Sequence, residues 1–133
     1  QAPGPGNALG EVKFMFPNPY NIYLHDTPSQ SLFAKEVRAF SHGCIRLDDP
    51  RDFAYALLAK QVSDPSSYYA SMQALGDEIE VRLEQPVPVH IDYRTAFTTA
   101  AGGIEFRRDI YGRDAKIWAA LTREGVAARA VRG

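Results

Sequence analysis

The dipeptide Asp-Pro occurs at 49–50 and again at 64–65, and each copy opens a short amphipathic stretch. An aspartate accepts the free N–H groups of a first helical turn, and proline fits the first helical position because its missing N–H has no partner there anyway. Both pairs therefore start helices. In the first, Asp52 adds a negative charge where the helix dipole favours one. Phe53, Ala54, Leu57, Leu58 and Val62 then recur at helical spacing and make one apolar face. The second helix runs through Leu75 and is stopped by Gly76. Two short helices in mid-chain leave only brief segments on either side, and much of what remains alternates as strands do.

Val12, Phe14 and Phe16 alternate with polar or small neighbours, a strand that Pro17 ends. "NPYNIYLHD" reads as a second strand, with Ile22 and Leu24 on one face and Tyr23 and His25 on the other. In "TPSQSLFA", Thr27 and Pro28 predict the N-cap and first position of a single helical turn. Beyond the helices, Ile79, Val81 and Leu83 predict one strand, and Val87, Val89, Ile91 and Tyr93 another, pushed toward a sheet edge by Pro86 and Pro88. Ile104 and Phe106 add a short strand, and "DAKIWAAL" closes as a helix with Ile117, Trp118 and Leu121 facing inward and Gly125 past its end. Strands, then helices, then strands favour an α+β fold: a mixed, mostly antiparallel β-sheet with packed helices. Residues 1–10 read as linker, 11–125 as the domain and 126–133 as a tail, with no internal repeat.

A length of 133 residues suits one domain, and 45% apolar with 23% charged residues is ordinary for a globular chain. A net charge of -1 gives no general pull toward nucleic acid or anionic membrane, and no apolar run is long enough to span a bilayer. Opening on Gln1 without a signal-peptide pattern, the sequence reads as a processed or trimmed piece of something longer. One cysteine closes no intrachain disulfide, and with three scattered histidines it makes no zinc-ligand spacing. No metal or cofactor is expected.

That cysteine sits in "FSHGCIRLDDP", residues 40–50. A lone thiol is commonly a small buried hydrophobe, but Ser41, His42, Gly43 and Arg46 are poor company for an apolar pocket. Gly43 lets the backbone turn so that successive N–H groups can converge on one spot, the geometry an oxyanion needs beside the sulfur. Only a thiolate attacks, so Cys44 also needs a base. His42 is two residues away, and His25 could be brought across from the cysteine by a partner strand. His90, between Val89 and Ile91, has the alternation of a solvent-facing strand residue. Tyr20 and Tyr23 could line a groove or simply pack, Trp118 reads as core, and Arg107, Arg108 and Asp109 read as solvated surface.

His25, fifteen intervening residues, then Ser41-His42-Gly43-Cys44-Ile45-Arg46 resembles the signature of the L,D-transpeptidases, cysteine enzymes with the YkuD-type catalytic fold. "VKFMFPNPYNIYLHDTP" and "DIYGRD" are similar to the larger periplasmic branch of that family, and the likeness runs from about Leu9 to Leu121. The resemblance implies that Cys44 is the nucleophile and His25 the general base, with its imidazole steered by the backbone carbonyl of Asp26. It implies oxyanion donors at the Gly43 and Cys44 amides, with Ser41 and His42 supporting the turn. Arg46 suits a substrate carboxylate or a turn-bracing hydrogen bond, and Tyr23 the donor groove.

The implied substrates are peptidoglycan stem peptides. The enzyme would cleave between the L-centre of meso-diaminopimelate and a terminal D-alanine, then join the acyl group to another diaminopimelate amine as a 3→3 cross-link. The setting would be the periplasm of a Gram-negative-type envelope, and carbapenems would acylate the thiol. With water as acceptor the same chemistry gives a carboxypeptidase or cross-link hydrolase; with an inert thiol the chain is a cell-wall-binding fragment. Only 24 residues precede His25, so the family's first strands are expected to be missing, and the missing portion or a partner strand to be needed for stability. A cooperative melt of this stretch as a lone monomer would refute that expectation.

Overall fold

The computed structural model describes residues 4, 6–41 and 43–125. It divides into two compact units, Gln1–Val89 and His90–Gly133.

The first unit holds a three-stranded sheet in the order β1 (Lys13–Met15), β2 (Tyr23–His25), β3 (Ile45–Arg46). β1 and β2 are antiparallel, with Lys13 opposite His25, Phe14 opposite Leu24 and Met15 opposite Tyr23. β2 and β3 are parallel, pairing Leu24 with Ile45 and His25 with Arg46. The sheet is therefore mixed, as the order of elements predicts. The second strand is shorter than its sequence suggests because Asn18 organises a turn ahead of it. Its side-chain oxygen accepts from the N–H of Tyr20 at 3.1 Å and of Ile22 at 2.9 Å. Its amide nitrogen donates to the carbonyls of Phe16 and Ile22. Asn21 adopts a positive φ of 53° in this turn, a conformation asparagine tolerates better than most residues.

Both Asp-Pro helices form. Asp49 caps α1 (Pro50–Leu58), accepting from the Asp52 N–H at 3.3 Å. Asp64 caps α2 (Pro65–Gln73), accepting from the Ser67 N–H at 3.0 Å and from the Ser66 and Ser67 hydroxyls. Ala54 and Leu58 of α1 and Tyr69 of α2 are the buried apolar core, with Val12, Phe14, Tyr55, Val62, Tyr68 and Val81 packed around it. The Phe14 ring meets Phe53 edge-on at 4.8 Å, so the Phe14–Leu24–Ile45 face of the sheet is the one toward α1. That leaves the opposite face for His25. The turn expected to start at Thr27-Pro28 instead starts at Gln30 as a 3-10 turn through Ala34. Thr27 is buried, and its hydroxyl accepts from the Ser29 N–H at 3.1 Å, which delays the helical geometry.

Neither strand expected over residues 79–93 forms. Residues 82–84 are held by a side chain in place of a strand: the Gln61 amide donates to the Arg82 carbonyl and accepts from the Glu84 N–H, both at 3.2 Å. Pro86 and Pro88 offer no N–H to a ladder, and Val87, Val89 and Ile91 are exposed.

In the second unit, β4 (Ala96–Thr98) and β5 (Ile104–Phe106) form an antiparallel hairpin. The Ile104 strand was expected and its partner was not. α3 (Asp114–Arg123) follows, and Gly125, at φ 82°, closes it by donating to the Thr122 carbonyl. Ile117, Trp118 and Leu121 do not face a core: they are 56%, 47% and 41% exposed. Asp109 is not a loose surface charge either. It accepts from the Tyr93 hydroxyl at 2.6 Å and from the Asp114 N–H at 2.7 Å, and these bonds hold its carboxyl down to about 2. The tail 126–133 lies outside the described residues.

Candidate active site

Laterally paired residues in a sheet point to the same side. The register therefore puts Lys13, His25 and Arg46 in one row on one face, and Met15 with Tyr23 in the next row on that same face. Cys44 precedes Ile45 by one residue, so continuing the parallel register places it beside Tyr23, in the row next to His25. A ring contact and an electrostatic effect agree with this placement. The Tyr23 and His25 rings meet edge-on at 5.9 Å. Interaction with the Cys44 side chain, and then burial, raise the Tyr23 phenol above its usual range.

Cys44 is free and half-buried, reachable yet partly shielded. His25 is only 4% exposed. Its Nδ1 contacts the Asp26 carbonyl oxygen, and because a carbonyl only accepts, Nδ1 must carry the proton. The other ring nitrogen, Nε2, is then the basic one. The His25 carbonyl accepts from the Leu47 N–H at 2.9 Å, which stitches β2 to the chain just beyond β3. Gly43 is half-buried, and its N–H donates to the Ser41 hydroxyl at 3.2 Å, so Ser41 braces the turn and already engages one of the two expected oxyanion amides. His42 lies outside the described residues. Arg46 is half-buried and makes no ion pair among the described residues. Lys13, across the row from it, is paired with Glu78. Tyr20 is 78% exposed, in the turn before β2. His90 is exposed and belongs to the second unit.

The Asp26 carboxylate does more than the sequence reading assigned to it. It accepts from the Glu11 N–H at 2.8 Å and from the Thr27 N–H at 2.6 Å. Gly10 is buried directly against it. Sequence reasoning passed over Gly10 because a glycine in a Pro/Gly-rich stretch looks like any other loop residue. A cavity of about 510 Å³ lies beside this contact, lined by Glu11, Asp26, Thr27, Asp49, Arg51 and Tyr69 among others. Neither Cys44 nor His25 lines it, so it is not where an acyl group would meet the sulfur.

Among the described residues no cluster of three or more His, Cys, Asp or Glu side chains could hold a metal ion, and no helix is long and apolar enough to cross a membrane. What the face offers chemically is a thiol, a phenol, an imidazole with a fixed protonated nitrogen, and a guanidinium in one small area.

The L,D-transpeptidase catalytic domain family, YkuD, matches residues 1–89, which are the residues of the first unit. A Haemophilus influenzae protein whose name provisionally assigns it as an L,D-transpeptidase is 35% identical over 111 residues, 84% of this chain. The chain spans 22% of that relative's length. This chain belongs to the YkuD family of L,D-transpeptidase catalytic domains.

Proposed function

We propose that the chain carries out cysteine-dependent L,D-transpeptidation on peptidoglycan stem peptides, in the periplasm of a Gram-negative-type cell. The observation that supports this most is the shared face of Tyr23, His25, Cys44 and Arg46, with His25 anchored through Nδ1 so that Nε2 is its basic nitrogen.

In the proposed reaction His25 Nε2 takes the thiol proton and the Cys44 sulfur attacks the carbonyl at the L-centre of a donor diaminopimelate. Charge developing on that carbonyl oxygen is met by the Gly43 and Cys44 amides, with the Ser41 hydroxyl yielding the Gly43 N–H. The carbon–nitrogen bond breaks, the imidazolium returns its proton to the departing D-alanine amine, and a thioester remains. A diaminopimelate side-chain amine of a second stem then attacks the thioester, losing a proton to His25. The sulfur leaves and is reprotonated, and a 3→3 amide results. Arg46, without an ion pair among the described residues, can hold a stem carboxylate through its two-pronged donor geometry.

Incubation with a disaccharide tetrapeptide and mass analysis of the products tests this. The expected product is a 3→3 dimer together with free D-alanine, and both are absent with Cys44→Ala. Tripeptide monomer alone would mean that water is the acceptor and would replace transpeptidation by hydrolysis. No turnover by the wild type would leave a cell-wall-binding role in its place.

A further inference from the structure

We infer that Gly10 and the carboxylate of Asp26 form a clamp that fixes the catalytic imidazole, making both of them positioning residues for His25. The inference deepens the transpeptidase reading and rests on it for its catalytic consequence.

His25 is oriented by one acceptor, the main-chain carbonyl of Asp26. The ring is therefore only as well placed as that peptide group. Asp26 is held from three further directions. Its N–H donates to the Val12 carbonyl at 2.9 Å. One carboxylate oxygen accepts from the Glu11 N–H at 2.8 Å, and the other from the Thr27 N–H at 2.6 Å. Glu11 is itself anchored to both helices, since its carboxylate takes a hydrogen bond from Arg51 of α1 at 3.2 Å and from Gln73 of α2 at 2.7 Å. The chain of contacts thus runs from the helix pair through Glu11 to Asp26, and from Asp26 to the imidazole.

Gly10 is what allows Asp26 and Glu11 to approach this closely. A Cβ at position 10 would stand 2.6 Å from the Asp26 Cβ, and nearer still to its carboxylate carbon and one oxygen. Rotating the Asp26 side chain moves the carboxylate but not its Cβ, so no rotamer relieves the clash and the main chain of one partner must shift. Gly10 also has a positive φ of 63°, where a side chain is disfavoured. Its own N–H donates to the Asn7 carbonyl at 2.8 Å, and its carbonyl accepts from Gly4 at 3.2 Å, so the turn that presents it is hydrogen-bonded. A shift of the Asp26 main chain moves the carbonyl that His25 depends on, and misplacing a catalytic group by about 1 Å can cost about 100-fold in rate.

The test uses the full-length protein, with nitrogen-15 shifts reporting the His25 tautomer and intact-mass kinetics reporting carbapenem acylation of Cys44. The wild type is expected to show His25 protonated at Nδ1 alone. Gly10→Ala and Asp26→Ala are expected to show mixed tautomers and acylation slowed by about 10- to 100-fold. Asp26→Asn keeps one of the two acceptor oxygens and is expected to fall between Asp26→Ala and wild type. Should Gly10→Ala fail to fold, the two Asp26 variants decide the matter. A wild-type His25 already in mixed tautomers would overturn the inference. So would folded variants that keep the tautomer and acylate within about twofold of wild type. A wild type that forms no acyl-enzyme, with its tautomer fixed and lost in the variants, would support the clamp while removing the transpeptidase reading.

Discussion

The two compact units contrast in what their sequences bury. In Gln1–Val89 the alternation of β1 and the apolar stripe of α1 meet, and His25, Thr27, Ala54, Leu58 and Tyr69 are withdrawn from solvent. In His90–Gly133 the strands and helix are equally regular, yet no described residue is buried and Phe106, Ile117 and Trp118 are exposed. Regular local structure therefore does not imply a core. Caps and turns set the elements in both units, whereas among the described residues only the first unit buries an apolar cluster and an imidazole.

The largest expected effect sharpens the contrast in chemistry. Cys44→Ala should abolish the covalent carbapenem adduct, and His25→Ala should slow its formation by about 100- to 10,000-fold. Trp118→Ala in the second unit should leave the adduct in place; intact-mass time courses distinguish the three. Next comes stability. Leu58→Ala leaves a cavity in the buried cluster and should cost about 2–5 kcal/mol in denaturant unfolding. Trp118→Ala, removing a half-exposed side chain, should cost under about 1 kcal/mol. Equal losses would break the comparison. Gln61→Ala, which removes both hydrogen bonds to residues 82–84, should cost about 1 kcal/mol and speed exchange of the Glu84 amide.

The smallest effect should be common to both units. Asp64 and Asp109 are each lowered from 3.8 to about 2, Asp64 chiefly by the Ser67 N–H and Asp109 chiefly by the Tyr93 hydroxyl. A depressed folded value means that each carboxylate contributes stability above 3.8 and loses it as the pH falls toward 2. Side-chain carbonyl shifts followed by NMR should titrate in that low window, and faster exchange of the Ser67 and Asp114 amides should accompany it. Midpoints near 4 would contradict the capping contacts.

Features fixed by neighbouring residues were legible in the sequence. Asp49 and Asp64 cap where their prolines place them, and Tyr23 and His25 share one face of their strand. Burial and strand pairing were not legible, because they depend on partners distant in the chain. Trp118 has the spacing of a core residue but is 47% exposed among the described residues, and the Val81 segment found the Gln61 side chain in place of a strand. The β4 strand carries one large apolar residue, Phe97, so no alternation marks it. Within the site, a route that brings His25 toward Cys44 could be anticipated as one of two alternatives, with His42 the other candidate base. Gly10 could not, since its importance lies in the Asp26 side chain that comes to rest on it.

The most direct test of the proposed Cys44–His25 chemistry is peptide mapping of the protein trapped after incubation with a disaccharide tetrapeptide. The expected result is a tripeptidyl thioester on the fragment containing Cys44, formed with release of D-alanine and suppressed in His25→Ala. An acyl group mapped to another residue, or D-alanine still released by Cys44→Ala, would contradict it.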